Sequence, residues 1–244
     1  MITDAAFAPA RAMPPRPAGW EIALFAAALA VTGLIALTLV FAGERTYADI
    51  VLAPGRPPAT FRSVETPPGT FSPGRLELSA EELLELHRGW VSYLTGRIGP
   101  QPSGPREHFT RSERAHMADV RNVFIAAQVA AGLAAAVLMW LALGARRRRM
   151  LARLVRAGTV AALVMVGGLG ALAAVAFEAA FLLFHQIFFP QGNFLFEPGS
   201  NLLALYPQDY FYGVTLRIGA AFVLAALLLA AAAHLSLRRS GASA

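Results

Sequence analysis

Residues 184–213 read FHQIFFPQGNFLFEPGSNLLALYPQDYFYG and stand between two long apolar runs. The stretch carries His185, Gln186, Asn193, Glu197, Asn201 and Asp209 beside nine Phe and Tyr rings. Hydrocarbon offers such polar groups no partners, so a lipid-buried course for them would be costly. A simple tether would not need so many hydrogen-bonding side chains. The stretch therefore reads as a polar-aromatic site at a bilayer face, where the chain turns between two spans.

Composition agrees. Of 244 residues, 56% are hydrophobic and 15% charged, which excludes disorder and points to an integral membrane protein. There is no cysteine, so disulfides, thiolate metal sites and acyl-cysteine intermediates are excluded. All 21 basic residues are arginine. Their clustering beside apolar segments explains the high isoelectric point as membrane-helix flanks, and no nucleic-acid partner is expected.

Four apolar stretches are long enough to span the ~30 Å hydrocarbon core, giving an all-α membrane protein with spans at 20–42, 120–144, 157–184 and 213–236. The first has a small-residue pattern at Val40 and Ala42 that fits a signal cleavage site, but its length and proline-rich head favour an uncleaved anchor. Arg11 and Arg16 precede the first span, Arg146–Arg149, Arg153 and Arg156 join the second to the third, and Arg238 and Arg239 follow the fourth. Those segments (1–19, 145–156 and 237–244) are expected in the cytoplasm, with a domain at 43–119 and the loop at 185–212 outside. The glycines at 167, 168 and 170 are expected to let helices pack closely.

The outer domain is expected to be small and mainly helical. Residues 52–75 hold six prolines and read as a semi-extended loop without helix. Ser79 with Glu82 forms a capping box that opens a helix bearing the stripe Leu83, Leu86, Trp90 and Leu94. Trp90 suits the headgroup zone, and His87 is expected on the helix surface. After a Gly/Pro break at residues 99–105, Thr110 with Glu113 caps a second helix, which runs from near 111 into the second span.

Two histidine segments could carry chemistry. In ERAHMADVRN, residues 113–122, His116 and Asp119 lie three apart on one helix face, where a carboxylate can fix an imidazole's tautomer. The bland reading is a solvated helix end. His185 ends the third span with Glu178 two turns below, and ionisable groups there are costly enough to suggest function. Against that, Glu178 could merely pair with Arg121 or Arg217. No HExxH, CxxC, GxSxG or phosphate-loop pattern is present.

RSERAHMADVRNVF (111–124), FHQIFFPQGNFLFEP (184–198) and LLALYPQDYFYG (202–213), in this four-span layout, resemble the bacterial lipoprotein intramolecular transacylase (Lit) family. LHRGWVSYLTG at the end of the outer helix fits the same pattern; Phe194, Glu197 and Asn201 depart from it. The resemblance implies a cell-membrane enzyme, and the arginine placement is expected to put both termini in the cytoplasm and the active site outside. It would move the sn-2 acyl chain of a diacylglyceryl lipoprotein to the α-amine of the lipid-bearing cysteine. It implies His116 and His185 as the acid–base pair with Asp119 orienting, and Arg121, Asn122, Asn193 and Glu197 as polar contacts. Phe188, Phe189, Phe194, Phe196 and Trp90 would form the acyl-chain wall. Diacylglyceryl lipoproteins and membrane phospholipid are the expected partners of a monomer that needs no cofactor or metal. A metal-dependent lipid hydrolase and a non-enzymatic lipid-binding protein are the competing readings; metal analysis and lipopeptide mass spectra separate them.

Overall fold

The computed structural model describes residues 15–64, 71–98 and 108–242. The elements run α1 (Gly19–Phe41), α2 (Glu44–Val51), β1 (Thr60–Val64), β2 (Phe71–Glu77), α3 (Ala80–Leu94), α4 (Arg111–Arg147), α5 (Leu151–Val175), α6 (Phe177–Phe188), α7 (Asn201–Leu205) and α8 (Gln208–Ala242). Helices α1, α4, α5 and α8 are each long and apolar enough to cross a bilayer, giving the four spans read from sequence. The first part of the N-terminal tail, part of the proline-rich segment and the Gly/Pro break at 99–105 lie outside the described residues.

Helix α1 packs against α4, α5 and α8. Its Ala26 and Ala30 meet Ala162 and Val166 of α5 and Phe222 and Ala226 of α8, so small side chains bring the backbones together. The close approach is made at Gly158, where an added Cβ would collide with the Phe25 ring. The glycines at 167, 168 and 170 do not serve this purpose: a Cβ on any of them meets nothing within 4 Å. At the arginine-rich end, α4 and α5 join through a tight turn with Arg149 at φ 55°. There Arg148 pairs with the buried Glu21 of α1.

The third span is not one helix. It breaks at Ala176 (φ −117°, ψ 46°), and α6 continues as a separate short helix. The proline-rich segment, read as a semi-extended loop without helix, contributes strands: β1 and β2 pair antiparallel, Thr60 opposite Glu77 and Val64 opposite Phe71. Extended backbone is what prolines favour outside helices, and the hairpin adds a small sheet to a mainly helical domain.

Both capping boxes form. Ser79 N–H donates to Glu82 at 2.7 Å, and Thr110 N–H donates to Glu113 at 2.8 Å. The second sets α4 running from residue 111, so its first three turns stand beyond the apolar stretch. The domain at this end is not built from residues 43–119 alone. Leu202, Leu205, Tyr206 and Tyr210 share one core with Tyr47, Phe61, Leu86, Trp90 and Phe109. Asn201, fully buried, stitches the two chain segments: its side chain accepts from Arg62 N–H at 2.7 Å and donates to the Arg62 and His108 carbonyls. Buried Glu113 does likewise, accepting from Ser200 Oγ and from Leu202 N–H at 2.9 Å. The loop before α8 is thereby fixed against the start of α4.

Candidate active site

Two elements supply the site: the first turns of α4, and the end of α6 with the loop that follows. His116 and His185 stand with near-parallel rings, 18° between planes and 6.1 Å between centroids. Phe189 and Phe196 present edges to His116 at 4.8 and 5.4 Å, and Phe194 lies 5.1 Å from His185. Phe189 is buried, whereas Phe188 is turned outward against Phe184.

The wiring of each ring fixes its chemistry. His185 Nδ1 lies 2.8 Å from the Phe181 carbonyl. A carbonyl only accepts, so Nδ1 carries the proton and Nε2 keeps a lone pair. His116 Nδ1 faces Asn193 Oδ1 at a long 3.5 Å, while Asn193 Nδ2 donates to Asp119 Oδ2 at 2.6 Å. That amide orientation makes His116 Nδ1 the donor too, again leaving Nε2 open. Burial holds the His116 pKa below the ordinary imidazole value; Asn193 and Asp119 oppose the shift. A buried neutral imidazole with a free Nε2 is poised to accept a proton.

Asp119 therefore reaches His116 through Asn193, not by a direct bond. Gln191, absent from the sequence reading, completes the network, donating to Asp119 Oδ2 at 2.9 Å and Asn193 Oδ1 at 3.3 Å. A turn closed by Gly192 N–H to the Phe189 carbonyl at 3.0 Å presents both amides. Gly192 sits at φ 75°, a conformation that favours glycine. The signal was legible as Pro-Gln-Gly-Asn, a turn sequence.

Four expected site residues lie elsewhere. Trp90 is buried in the domain core against Phe109 and Tyr93, because its stripe faces inward; it meets no lipid there. Arg121 donates to the Tyr93 and Ile98 carbonyls, with its guanidinium 4.7 Å over the Tyr93 ring, and so braces α3 against α4. Glu197 pairs with Arg62 at 3.4 Å. The Asn122 side chain is exposed and makes no hydrogen bond with any described residue. Glu178 is exposed and makes no ion pair among the described residues, so it locks neither Arg121 nor Arg217. Arg217 instead donates to the Gly213 carbonyl.

His87 reverses its expectation. It is fully buried, stacked on Tyr47 at 4.2 Å, with Nδ1 3.1 Å from the Tyr206 hydroxyl and Nε2 3.0 Å from the Ala42 carbonyl. Its spacing with Leu83, Trp90 and Leu94 puts it on the inward stripe, which the sequence could have shown.

The family described as lipoprotein intramolecular transacylase Lit matches residues 70–211, more than half of the chain and all of the site. The chain belongs to that family. Family membership makes it an acyltransferase of lipoproteins, embedded in a membrane by several spans. The fold is similar to the solved structure of the membrane-integral transacylase Lit from Bacillus cereus: TM-score 0.64 at 16% identity, over 92% of this chain and 94% of that one. Two variants of the Bacillus cereus protein, with one histidine changed to arginine or to alanine, match with TM-scores of 0.59 and 0.57 at 14% identity. They cover 92% and 91% of this chain and 91% and 90% of their own. No curated protein sequence matches the chain.

Proposed function

We propose that this transacylase moves the sn-2 acyl chain of a diacylglyceryl lipoprotein onto the α-amine of its lipid-bearing N-terminal cysteine, using His116 and His185 as acid and base. The carrying observation is the pair itself: two parallel imidazoles 6.1 Å apart, each with Nδ1 engaged and Nε2 open, walled by Phe189, Phe194 and Phe196.

The α-amine, with an ordinary pKa of about 7.7–8.0, is largely protonated near neutrality and must lose a proton before it attacks. One Nε2 takes that proton. The amine nitrogen then bonds to the sn-2 carbonyl carbon, and the tetrahedral intermediate collapses by breaking the bond to the glycerol oxygen. The departing oxygen takes a proton from the imidazolium formed in the first step, and the partner imidazole's open Nε2 takes the nitrogen's second proton and passes it to water. The products are an amide and a free sn-2 hydroxyl on the same molecule. No enzyme nucleophile is needed, in keeping with a chain that has no cysteine. Donor and acceptor are tethered, so alignment supplies much of the acceleration.

The arginines of the α4–α5 turn and of the α8 end lie at the opposite end of the bundle from the histidines. The excess of positive charge on cytoplasmic loops then supports a site facing outward, with both termini inside. Purified protein and a synthetic diacylglyceryl lipopeptide test the reaction. Tandem mass spectrometry should find the acyl chain on nitrogen, with a free sn-2 hydroxyl and no free fatty acid. Release of fatty acid without N-acylation would refute the proposal.

A further inference from the structure

Three other carboxylates near the site are already matched. Glu113 is enclosed by Thr110, Ser200 and the Leu202 N–H. Glu197 pairs with Arg62, and Asp209 pairs with Arg56. Asp119 differs from these. It is half-buried, one helical turn from His116, and no cation among the described residues pairs with it. The neighbouring Arg121 is engaged by the Tyr93 and Ile98 carbonyls.

What does hold Asp119 is two neutral amides, both on the same oxygen. Gln191 and Asn193 donate to Oδ2 at 2.9 and 2.6 Å, and no described residue donates to Oδ1. Amides orient a carboxylate without cancelling its charge, as a lysine or arginine would. The result is a fixed, partly desolvated anion with one open oxygen, one helical turn from a proton acceptor. Charge-assisted hydrogen bonds are the strong class, so such an oxygen selects a cationic donor over water.

We infer that Asp119, held by Gln191 and Asn193, is the receptor for a primary ammonium group on the lipid substrate. The inference rests on the transacylase reading, and it gives Asp119 a contact with substrate that an orienting role lacks. An ammonium bound at Oδ1 sits on the helix turn next to His116, the residue that takes its proton. One N–H bond then breaks, Nε2–H forms, and the electron pair stays on the nitrogen that attacks. Asp119 remains a carboxylate throughout and faces first an ammonium, then an imidazolium. Gln191 is a positioning residue acting through Asp119. The ammonium has two chemical sources at a membrane surface: the lipidated N-terminus of a protein, or the headgroup of phosphatidylethanolamine.

Binding to an inactive protein tests this apart from turnover. In the His116→Ala/His185→Ala protein, a diacylglyceryl lipopeptide with a free N-terminus should bind roughly tenfold or more tightly than its N-acetylated form. Asp119→Asn added to that protein should erase the preference, as should Asp119→Ser, and Gln191→Ala should shrink it. No preference, or a preference that survives both Asp119 substitutions in folded protein, overturns the inference. Competition by phosphatidylethanolamine but not phosphatidylglycerol supports the subsite with the phospholipid as its source. Displacement by lipopeptide alone supports it with the N-terminus as its source. If the ammonium preference holds while wild-type protein fails to N-acylate the lipopeptide, the subsite stands and the transacylase proposal falls; normal N-acylation without the preference does the reverse.

Discussion

His87 and the His116–His185 pair set two uses of one side chain about a single domain. His87 has both ring nitrogens bonded, to Tyr206 and to the Ala42 carbonyl, and none of its surface reaches solvent. It joins the end of α1 to α3 and to the turn before α8, and it has no valence left for a substrate. Among the described residues, His116 and His185 each bond through Nδ1 alone, to Asn193 and to the Phe181 carbonyl. Burial disfavours the charged form in both settings, but only an open Nε2 turns that into chemistry. The number of satisfied ring nitrogens, more than depth of burial, separates a strut from a base.

Exchanging alanine between the two regions should exchange the defect. His185→Ala should lower turnover by about 10²–10⁴-fold, the usual contribution of a general acid or base, with little change in melting temperature. His87→Ala should do the converse, costing roughly 3 kcal/mol through a cavity and two orphaned partners, while the folded fraction keeps its turnover. Thermal melts and initial rates on the same samples read both.

Acid sharpens the contrast. Burial pushes the His87 pKa down to about 4, so the native state holds it neutral where the unfolded chain, near 6.5, takes up a proton. Its stabilisation is complete above about pH 6.5 and declines as pH falls toward 4, by on the order of 3 kcal/mol in all. His87→Phe should flatten that part of the stability curve. Turnover should keep its acid limb below the ordinary histidine value, because burial also lowers the His116 pKa.

Smaller effects follow from the turn and from the rim. Gly192→Ala places a side chain at φ 75° with no clash to relieve, so backbone strain of about 1 kcal/mol is the cause of any change. Turnover should drop about tenfold as Asn193 and Gln191 lose aim, with stability falling only by that strain. Glu197→Ala removes an exposed ion pair with Arg62 and should cost less than about 1 kcal/mol, with turnover unchanged.

Much of this was legible in the chain because it is local. Apolar runs of span length and two capping boxes specify α1, α4, α5 and α8 and the starts of α3 and α4, and the structure bears them out. The meeting of His116 with His185 is not local. It depends on Asn201 and Glu113 pinning distant segments, and each of those side chains also has an ordinary reading as a loop or capping residue. The break at Ala176 has no proline or glycine at the joint to announce it. His87 sets polarity against spacing: a polar ring favours the surface, whereas its spacing lies on the buried stripe. The Tyr206 hydroxyl and the Ala42 carbonyl, from far along the chain, make its burial tolerable.

The most direct test is the mass spectrum of a diacylglyceryl lipopeptide incubated with wild-type protein, His116→Ala and His185→Ala, each shown folded by thermal melt. The account predicts N-acyl, sn-2-hydroxyl product from wild-type protein and, from either variant, at most about a hundredth as much. Undiminished N-acyl product from both variants would contradict it.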